Sequence, residues 1–358
     1  MPRSGYPFRN LVFEGGGVKG IAYSGALAVL EERGILPQIR RVGGASAGAI
    51  NAALMALGYS LAEIRDTLAK LDFRNFMDDD WGVLRDAKRL IRDFGWYKGD
   101  FFREWMSQLI EAKTGNPEAT FADLAKRRGT PKLHLVATNL ATRLSQVYSK
   151  DHSPTLPVAD AVRRSMSIPL FFAAVRESAD LFVDGGVLDN YPIRLFDREK
   201  YVAKCDRSRH ATRPPHYAGA NRERRGNTSP FIYNRETLGF RLDSREEIAL
   251  FRDGAEPKRE RIDDFFDYGW ALIRTLMSAQ DSRHLQSGDW HRTVYINTLG
   301  VGTTDFDLDE EAKAKLEASG RAGTGRYFDW YDANAPDDRP LNRPPLGRTL
   351  GRRYFPAQ

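Results

Sequence analysis

The sequence predicts an α/β fold with a mostly parallel central sheet, because a strand, a glycine turn and a helix follow one another twice in its first third. The first unit is "NLVF" at 10–13, followed by a helix over 18–33 that Gly34 ends. The second is "RRVGG" at 40–44, followed by the small-residue helix "SAGAINAALMALG" that Gly58 ends. This alternation is typical of parallel strands with helices on the faces of the sheet.

The rest of the chain continues the pattern less regularly. The predicted strands are 132–140, 143–149, 181–186 and 292–299. The predicted helices are 61–71, one from 158 that stops at Pro169, 246–284 with a break near Pro257, and 309–320 with its own glycine stop. Aromatic residues between 73 and 110 predict a helical cap, either packed on the core or covering an apolar substrate channel.

Length and composition predict one large domain. The chain has 358 residues, of which 41% are hydrophobic and 28% charged, as in ordinary globular proteins. We place this domain at 8–330 and a Pro/Arg-rich tail without periodicity at 331–358. The one cysteine, Cys205, excludes an internal disulfide framework and is expected to be structural.

The net charge of +6 is concentrated in two segments. Residues 200–228 carry eight Lys or Arg against Asp206 and Glu223, and the tail carries five Arg against three Asp, so about −2 remains for the rest. The composition of 200–228 predicts a disordered or mobile basic insertion. Both segments are either solvated loops or contacts for anionic lipid headgroups. No nucleic-acid partner is expected, because no binding motif accompanies the charge.

The second glycine turn contains a candidate nucleophile. Gly44-Ala45-Ser46-Ala47-Gly48 has the G-x-S-x-G form, in which a strand turns sharply into a helix and exposes a serine at the apex. Small flanking residues let the neighbouring backbone pass, and the helix that follows adds its positive end. The pattern also occurs in purely structural turns, but its position between a strand and a small-residue helix favours the nucleophile.

A serine hydroxyl needs a base, and the candidate is Asp184 in "LFVDGGVLDNYP". It stands where an apolar strand ends before Gly185 and Gly186. We expect a carboxylate at the C-terminal end of a strand to lie at the mouth of an open α/β sheet. The alternative is a turn-forming aspartate.

The first glycine turn can supply hydrogen-bond donors for a tetrahedral oxyanion. Gly15, Gly16 and Gly17 carry no side chains that would block their N–H groups, and a helix dipole follows them. Lys19 either tethers a carbonyl and adds positive potential, or is a solvated lysine.

The three motifs together resemble the patatin-like phospholipase family. Gly15-Gly16-Gly17-Val18-Lys19-Gly20, the Ser46 pentapeptide and Asp184-Gly185-Gly186 match its three signatures in order. The resemblance covers about 10–195, includes "VADAVRRSMSIPLFF", and extends to "ETLGFRLDS" and "INTLGVGTTDFDLDEEAKAKLEASG". It implies a three-layer α/β/α fold and a Ser46–Asp184 dyad that hydrolyses lipid acyl esters through an acyl-enzyme. Gly15, Gly16 and Gly17 would form the oxyanion loop, while Gly20, Gly44, Gly48, Gly185 and Gly186 support the motifs. Lys19 departs from the arginine that many members have.

Three other functions stay open. A dinucleotide-binding turn would share the Gly15-x-Gly17-x-x-Gly20 spacing, but an acidic residue about 20 positions further on is missing. An α/β-hydrolase would add a histidine such as His284 or His291 to the serine and aspartate, yet the elbow comes too early for that fold. The third alternative is a non-catalytic, regulated lipid- or membrane-binding module that keeps the fold.

The expected enzyme is a serine ester hydrolase of the phospholipase A or lysophospholipase type that acts on phospholipid or another acyl-ester lipid. Burial should raise the pKa of Asp184. No cofactor or metal is expected, because no ligand spacing is present and the acidic run at 78–80 lacks a partner motif. The N-terminus is polar, so no signal peptide is expected. No apolar run reaches about 18 residues, so no membrane span is expected either. We therefore expect a cytoplasmic or peripheral membrane protein, with export as an effector left open.

Overall fold

The computed structural model describes residues 5–77, 90, 92–243, 261–263, 265–278 and 288–334. The strands are β1 (Asn10–Phe13), β2 (Arg41–Ala45), β3 (Gly95–Tyr97), β4 (Lys132–Asn139), β5 (Leu144–Ser149), β6 (Leu170–Phe172), β7 (Val175–Glu177), β8 (Asp180–Asp184), β9 (Ala211–Thr212), β10 (Tyr233–Asn234), β11 (Thr237–Asp243) and β12 (Thr293–Asn297). The helices are α1 (Ala22–Glu32), α2 (Ala47–Ala56), α3 (Leu61–Ala69), α4 (Asp100–Thr114), α5 (Phe121–Lys126), α6 (Val158–Ser165), α7 (Gly186–Asp189), α8 (Arg207–His210), α9 (Ala218–Arg222), α10 (Phe265–Ser278) and α11 (Glu310–Asp332).

An eight-stranded, mostly parallel sheet forms the centre of the fold, as the sequence predicts. Strands β12, β11, β1, β2 and β4 lie side by side and run parallel. The antiparallel strands β5 and β8 pair with β4, and β7 pairs with β8. β11 was not predicted as a strand, although it lies inside the sheet between β1 and β12.

Both faces of the sheet are covered, which gives the three layers. In β1, Leu11 and Phe13 belong to the main hydrophobic core, whereas Val12 packs with Tyr191 and Phe196 on the other face. This alternation follows from the two-residue period of a strand. All four β1 residues are buried, as expected for a strand covered on both sides.

α1 and α11 pack at very short range because a glycine of each helix meets the backbone of the other. A Cβ at Gly25 would lie 1.9 Å from the Glu317 carbonyl oxygen, and one at Gly320 would lie 1.8 Å from the Ala22 carbonyl oxygen. The prediction that Gly320 ends the last helix is therefore wrong: α11 continues to Asp332, and Gly320 allows helix contact.

The described part of the aromatic stretch is a cap packed on the core. The Phe76 ring contacts the rings of Phe101, Phe102 and Trp105, with centroids 5.2–5.9 Å apart. Phe102 is fully buried and belongs to the main core. Residues 78–89 and 91, including the acidic run at 78–80, lie outside the described residues.

Residues 200–228 contain regular structure, contrary to the expectation of a disordered or mobile insertion. They include α8, α9 and β9, which pairs with β10. The segment is anchored by Tyr217, whose buried hydroxyl donates to Asp197 at 2.6 Å. Asp197 in turn pairs at 2.6 Å with the fully buried Arg292. This partner lies far along the chain, so local composition could not reveal it.

The folded body extends slightly beyond the predicted boundary at 330. Asp332 accepts hydrogen bonds from Tyr6 at 2.9 Å and Arg33 at 2.6 Å. The remaining tail and most of the predicted 246–284 helix lie outside the described residues, apart from α10. Within the described ranges, no helix has both the length and the apolar character needed to cross a bilayer.

The glycine contact between α1 and α11 predicts opposite effects of two substitutions in one helix. Gly320→Ala should lower the free energy of unfolding by about 1–3 kcal/mol, because its Cβ meets the Ala22 carbonyl. Gly325→Ala is the matched control: nothing lies within 4 Å, so a higher helix propensity should stabilise by up to about 1 kcal/mol. Urea unfolding curves of both variants test this, and equal shifts would contradict the close contact.

Candidate active site

The candidate site forms where two strands meet end to end on one edge of β4. β5 pairs with residues 134–139 of β4 and therefore occupies its other edge. On the first edge, β2 pairs with β4 as far as Val136, and β8 pairs with it from Ala137 onward. Because β2 runs parallel and β8 antiparallel to β4, their C-terminal ends point at each other. Ser46 follows one end, and Asp184 is the last residue of the other.

Ser46 lies on a sharp elbow between β2 and α2. Its φ of 52° falls in the left-handed region that non-glycine residues rarely adopt. Gly44 and Gly48 make the turn possible: a Cβ at Gly44 would lie 2.6 Å from the Gly48 carbonyl, and one at Gly48 would lie 2.3 Å from the Phe13 carbonyl oxygen. Gly44 and Gly48 are thus required because the backbone passes too close to them for any side chain.

Asp184 is a fully buried carboxylate. Its Oδ1 accepts a hydrogen bond from the Gly186 N–H at 2.7 Å. Burial raises the pKa of Asp184 to about 7, as the sequence analysis expects, and the hydrogen bonds from Gly186 and Ser46 only partly oppose this rise. A Cβ at Gly185 would lie 2.3 Å from the Val136 carbonyl oxygen, so the chain needs a glycine to turn away from β4.

The position of Asp184 has a different cause from the one predicted. β8 is antiparallel to β4 and not parallel, so it approaches from the opposite direction and its C-terminal end meets the C-terminal end of β2. Asp184 pairs instead with Ala137, well inside β4. It lies beside Ser46 because β2 is short and ends opposite Val136.

The Ser46 hydroxyl is adjacent to Asp184 but is not yet aligned with it. The hydroxyl lowers the pKa of Asp184 through hydrogen bonding. Its well-aligned contact is with Met166 Sδ at 3.5 Å, and Asp184 Oδ2 has no well-aligned partner among the described residues. Such loose geometry is common in unliganded sites.

Residues 165–167, within the predicted helix that starts at 158, join the two strand ends, a role that the sequence did not predict. Ser165 Oγ accepts from the Ser46 N–H at 3.0 Å and donates to the Val136 carbonyl at 2.6 Å. The Ser167 carbonyl accepts from the Asp184 N–H at 2.8 Å. α6 ends at Ser165, whereas the sequence predicted an end near Pro169. The sequence signal for this segment was the match of "VADAVRRSMSIPLFF" to the family.

Arg163 holds this bridging segment in place. It is buried, and its guanidinium donates to Ser167 Oγ at 2.6 Å and to the Ala173 carbonyl at 2.9 Å. A Cβ at Gly99, whose φ is +74°, would lie 2.5 Å from this guanidinium.

Within the glycine loop, Gly15 has a steric role and is not a free donor. Its N–H is already bonded to the Asn190 carbonyl at 3.0 Å, which corrects the expectation that it donates to an oxyanion. A Cβ at Gly15 would lie 2.9 Å from Ser46 Cβ, so the missing side chain lets the loop approach the serine. The N–H groups of Gly16 and Gly17 have no partner in the described part of the chain.

The other predicted loop residues surround this approach. Gly20 faces α2, where its Cβ would lie 2.9 Å from Ala47 Cβ. The Lys19 side chain passes Gly16 and makes no ion pair with a described residue. The buried Glu14 was not predicted: it accepts hydrogen bonds from the Leu242 N–H at 2.6 Å and from Asn190 Nδ2 at 3.3 Å.

Four of the described histidines contact residues other than Ser46 and Asp184. His134 lies between the rings of Phe196 and Tyr201 at the opposite end of β4. His152 contacts Ser149, His210 contacts Glu236, and His291 stacks on Trp330. His284 lies outside the described residues.

Among the described residues, one group of side chains has metal-ligand character. Potential ligand atoms of Asp206, His210 and Glu236 lie within 4.8 Å of one another. The ion pair between His210 and Glu236 at 2.9 Å accounts for most of this proximity, and the surrounding segment is strongly basic. These residues lie before β11, away from Ser46.

The family model for patatin-like phospholipases matches residues 11–197, which contain the three motifs. An uncharacterised Bacillus subtilis protein, YqhO, is 32% identical over 331 residues, covering 88% of this chain and 97% of that protein. A lysophospholipase of Candida glabrata, NTE1, is 27% identical over 51% of this chain, but only 9% of its own length is matched.

The solved structure of VipD from Legionella pneumophila has the same overall arrangement. It aligns with a TM-score of 0.55 and 18% identity, covering 91% of this chain and 67% of that one. At this identity the likeness supports the fold alone.

The raised pKa of Asp184 predicts a specific dependence of stability on pH. The folded state keeps the proton up to about pH 7, whereas an unfolded aspartate loses it near 3.8. Stability should therefore fall as the pH rises from about 4 to 7, by about 1.4 kcal/mol for each pH unit that separates the two pKa values. Asp184→Asn should remove this loss, so its advantage in urea unfolding should grow from pH 5 to pH 8. An advantage that does not change with pH would contradict the buried, protonated carboxyl.

Proposed function

We propose that this chain, which belongs to the patatin-like phospholipase family, is a lipid acyl hydrolase with Ser46 as nucleophile and Asp184 as base. The observation that carries the proposal is the adjacency of a strained serine elbow and a buried carboxyl whose pKa is about 7. A base with a pKa near the working pH combines availability with basicity. The lysophospholipase name of a relative supports a lipid ester as substrate.

In the first half-reaction, Asp184 accepts the Ser46 proton while Oγ attacks the ester carbonyl. The N–H groups of Gly16 and Gly17 and the start of α2 stabilise the tetrahedral oxyanion. The C–O bond to the alcohol breaks, Asp184 returns the proton to that oxygen, and the acyl group stays on Ser46.

In the second half-reaction, water adds to the acyl-enzyme. Asp184 takes a proton from the water, the ester bond to Ser46 breaks, and the hydroxyl recovers its proton as the fatty acid leaves. Ser46 and Asp184 are only 3% and 2% exposed. The ester must therefore displace some of the residues packed over them before it can react.

Removing either group should abolish ester hydrolysis. Ser46→Ala and Asp184→Asn should each lower kcat/KM for a short-chain nitrophenyl ester by on the order of 10⁴-fold or more. Ser107→Ala is the matched control, because it removes another buried hydroxyl that has no partner among the described residues. Circular dichroism verifies folding.

The alternatives predict other outcomes of the same assay. A histidine-dependent hydrolase would lose comparable activity on His284→Gln or His291→Gln. A wild-type protein that is inert on esters and dispersed phospholipid, yet binds liposomes, would establish a binding module.

We also propose that the basic segment 200–228 contacts anionic membrane surfaces. Arg222, Arg224 and Arg225 are exposed at the end of α9, with the exposed Glu223 between the first two. Each basic residue near an anionic surface contributes about 1 kcal/mol. Because the segment is folded on the body, charge reversal is a better test than deletion.

Reversing these three charges should separate membrane binding from chemistry. Arg222→Glu/Arg224→Glu/Arg225→Glu should weaken binding to phosphatidylserine vesicles at least about ten-fold, with unchanged hydrolysis of a soluble ester. Arg40→Glu/Lys126→Glu/Arg128→Glu applies the same change in net charge to other exposed positions. Vesicle co-sedimentation measures both, and equal losses for the two triple variants would refute a localised contact.

A further inference from the structure

A separate cavity of about 300 Å³ lies at the other end of the strands that carry the candidate site. Arg41 begins β2 on its wall, whereas Ser46 follows the last residue of that strand. Five residues of extended chain span about 16 Å, so the cavity is distinct from the site around Ser46. Its other walls come from α5, the start of β4 and the turn after β5.

The wall of this cavity is strongly cationic. It includes Arg41, Lys132, Lys150 and Lys200 against a single carboxylate, Asp151, which pairs with Lys200 at 3.0 Å. Lys150 is exposed and has no partner among the described residues.

Arg41 is only partly compensated. Its Nη1 donates to Asn10 at 3.0 Å and to the Tyr201 carbonyl at 3.1 Å, and its guanidinium carbon lies 4.6 Å from the centre of the Tyr201 ring. Its Nε and Nη2 have no hydrogen-bond partner in the described chain. Burial lowers the pKa of Arg41, and the opposing effects of Tyr201, Glu236 and Asp151 do not offset it.

A buried polar atom on the same wall also lacks a partner. His134 is 5% exposed, and its Nδ1 forms no well-aligned hydrogen bond within the described residues. Burial lowers the pKa of His134 to about 4, and a hydrogen bond with the Lys132 carbonyl opposes this without offsetting it. The ring is therefore neutral and carries one N–H, and its Nε2 lies 3.5 Å from the Tyr201 hydroxyl. Buried polar groups without a partner are rare and indicate a missing ligand or water.

The remaining wall is apolar, formed by Phe121, Leu124, Pro131 and Leu133. We propose that this cavity binds a phosphate monoester that carries a small apolar group. The phosphate would lie among Arg41, Lys150 and His134, where several cations suit a doubly charged group better than a carboxylate. The apolar group would pack on Phe121 and Leu124. A single-chain lipid phosphate and a soluble aryl or alkyl phosphate share this chemistry.

Calorimetry on the full chain tests this site with four probes: phenyl phosphate, a short-chain lysophosphatidate below its micelle concentration, inorganic phosphate and phenol. At least one of the first two should bind with one-to-one stoichiometry, at least ten-fold more tightly than inorganic phosphate or phenol. The tighter of the two identifies a soluble or a lipid source. If neither binds, or if inorganic phosphate binds equally well, the proposal is wrong.

Two variants locate the binding. Lys150→Glu reverses an exposed, unpaired charge and should weaken binding at least ten-fold without affecting folding. Lys126→Glu is the matched control, because it lies on α5 outside the cavity wall, and it should leave binding unchanged. Titration should also shift the His134 ring signals, assigned with His134→Gln, and should do so equally in Ser46→Ala. Binding that is insensitive to Lys150→Glu, or lost in Ser46→Ala, would overturn the assignment.

Discussion

The meeting of β2 and β8 on one edge of β4 is the constraint on which the rest of the site depends. Two strands that run toward each other cannot both continue, so each chain turns away at the Val136–Ala137 step. The turn after β2 exposes Ser46, and the turn after β8 exposes Asp184. Glycine is required at positions 44, 48 and 185, because a Cβ at any of them would lie only 2.3–2.6 Å from a backbone atom.

Such a junction leaves backbone groups that lack strand partners, and buried groups of this kind are costly unless they are bonded. Ser165, the last residue of α6, and Ser167 just after it supply these bonds, and the Arg163 guanidinium donates to Ser167 Oγ. The same bridge brings Met166 against the Ser46 hydroxyl. Positioning of the two reactive groups is thus a consequence of satisfying the backbone. The closed junction also buries Asp184 and raises its pKa, so a carboxylate becomes a useful base at a cost in stability above about pH 4.

Local chemistry was enough to predict much of this arrangement. "NLVF" became β1 with unchanged bounds, and the strand–glycine–helix pattern around Ser46 gave the elbow correctly. Asp184 was identified from its place at a strand end, but the antiparallel direction of β8 was not predicted, because strand direction depends on pairing partners that no local pattern contains. The bridging Ser165 and the bond between Gly15 and Asn190 depend on contacts across more than 100 residues. Gly320 was wrongly predicted to end a helix for the same reason, because its close partner, Ala22, is distant in sequence.

The most direct test of the account is the rate at which a fluorophosphonate labels the protein as a function of pH. Peptide mapping should locate the adduct on Ser46, and the labelling rate should rise with pH through a single ionisation near 7. In Asp184→Asn this rise should disappear. An adduct on another residue, or a wild-type rate that follows an ordinary aspartate with a pKa near 4, would contradict the claim that the junction joins Ser46 to a buried base.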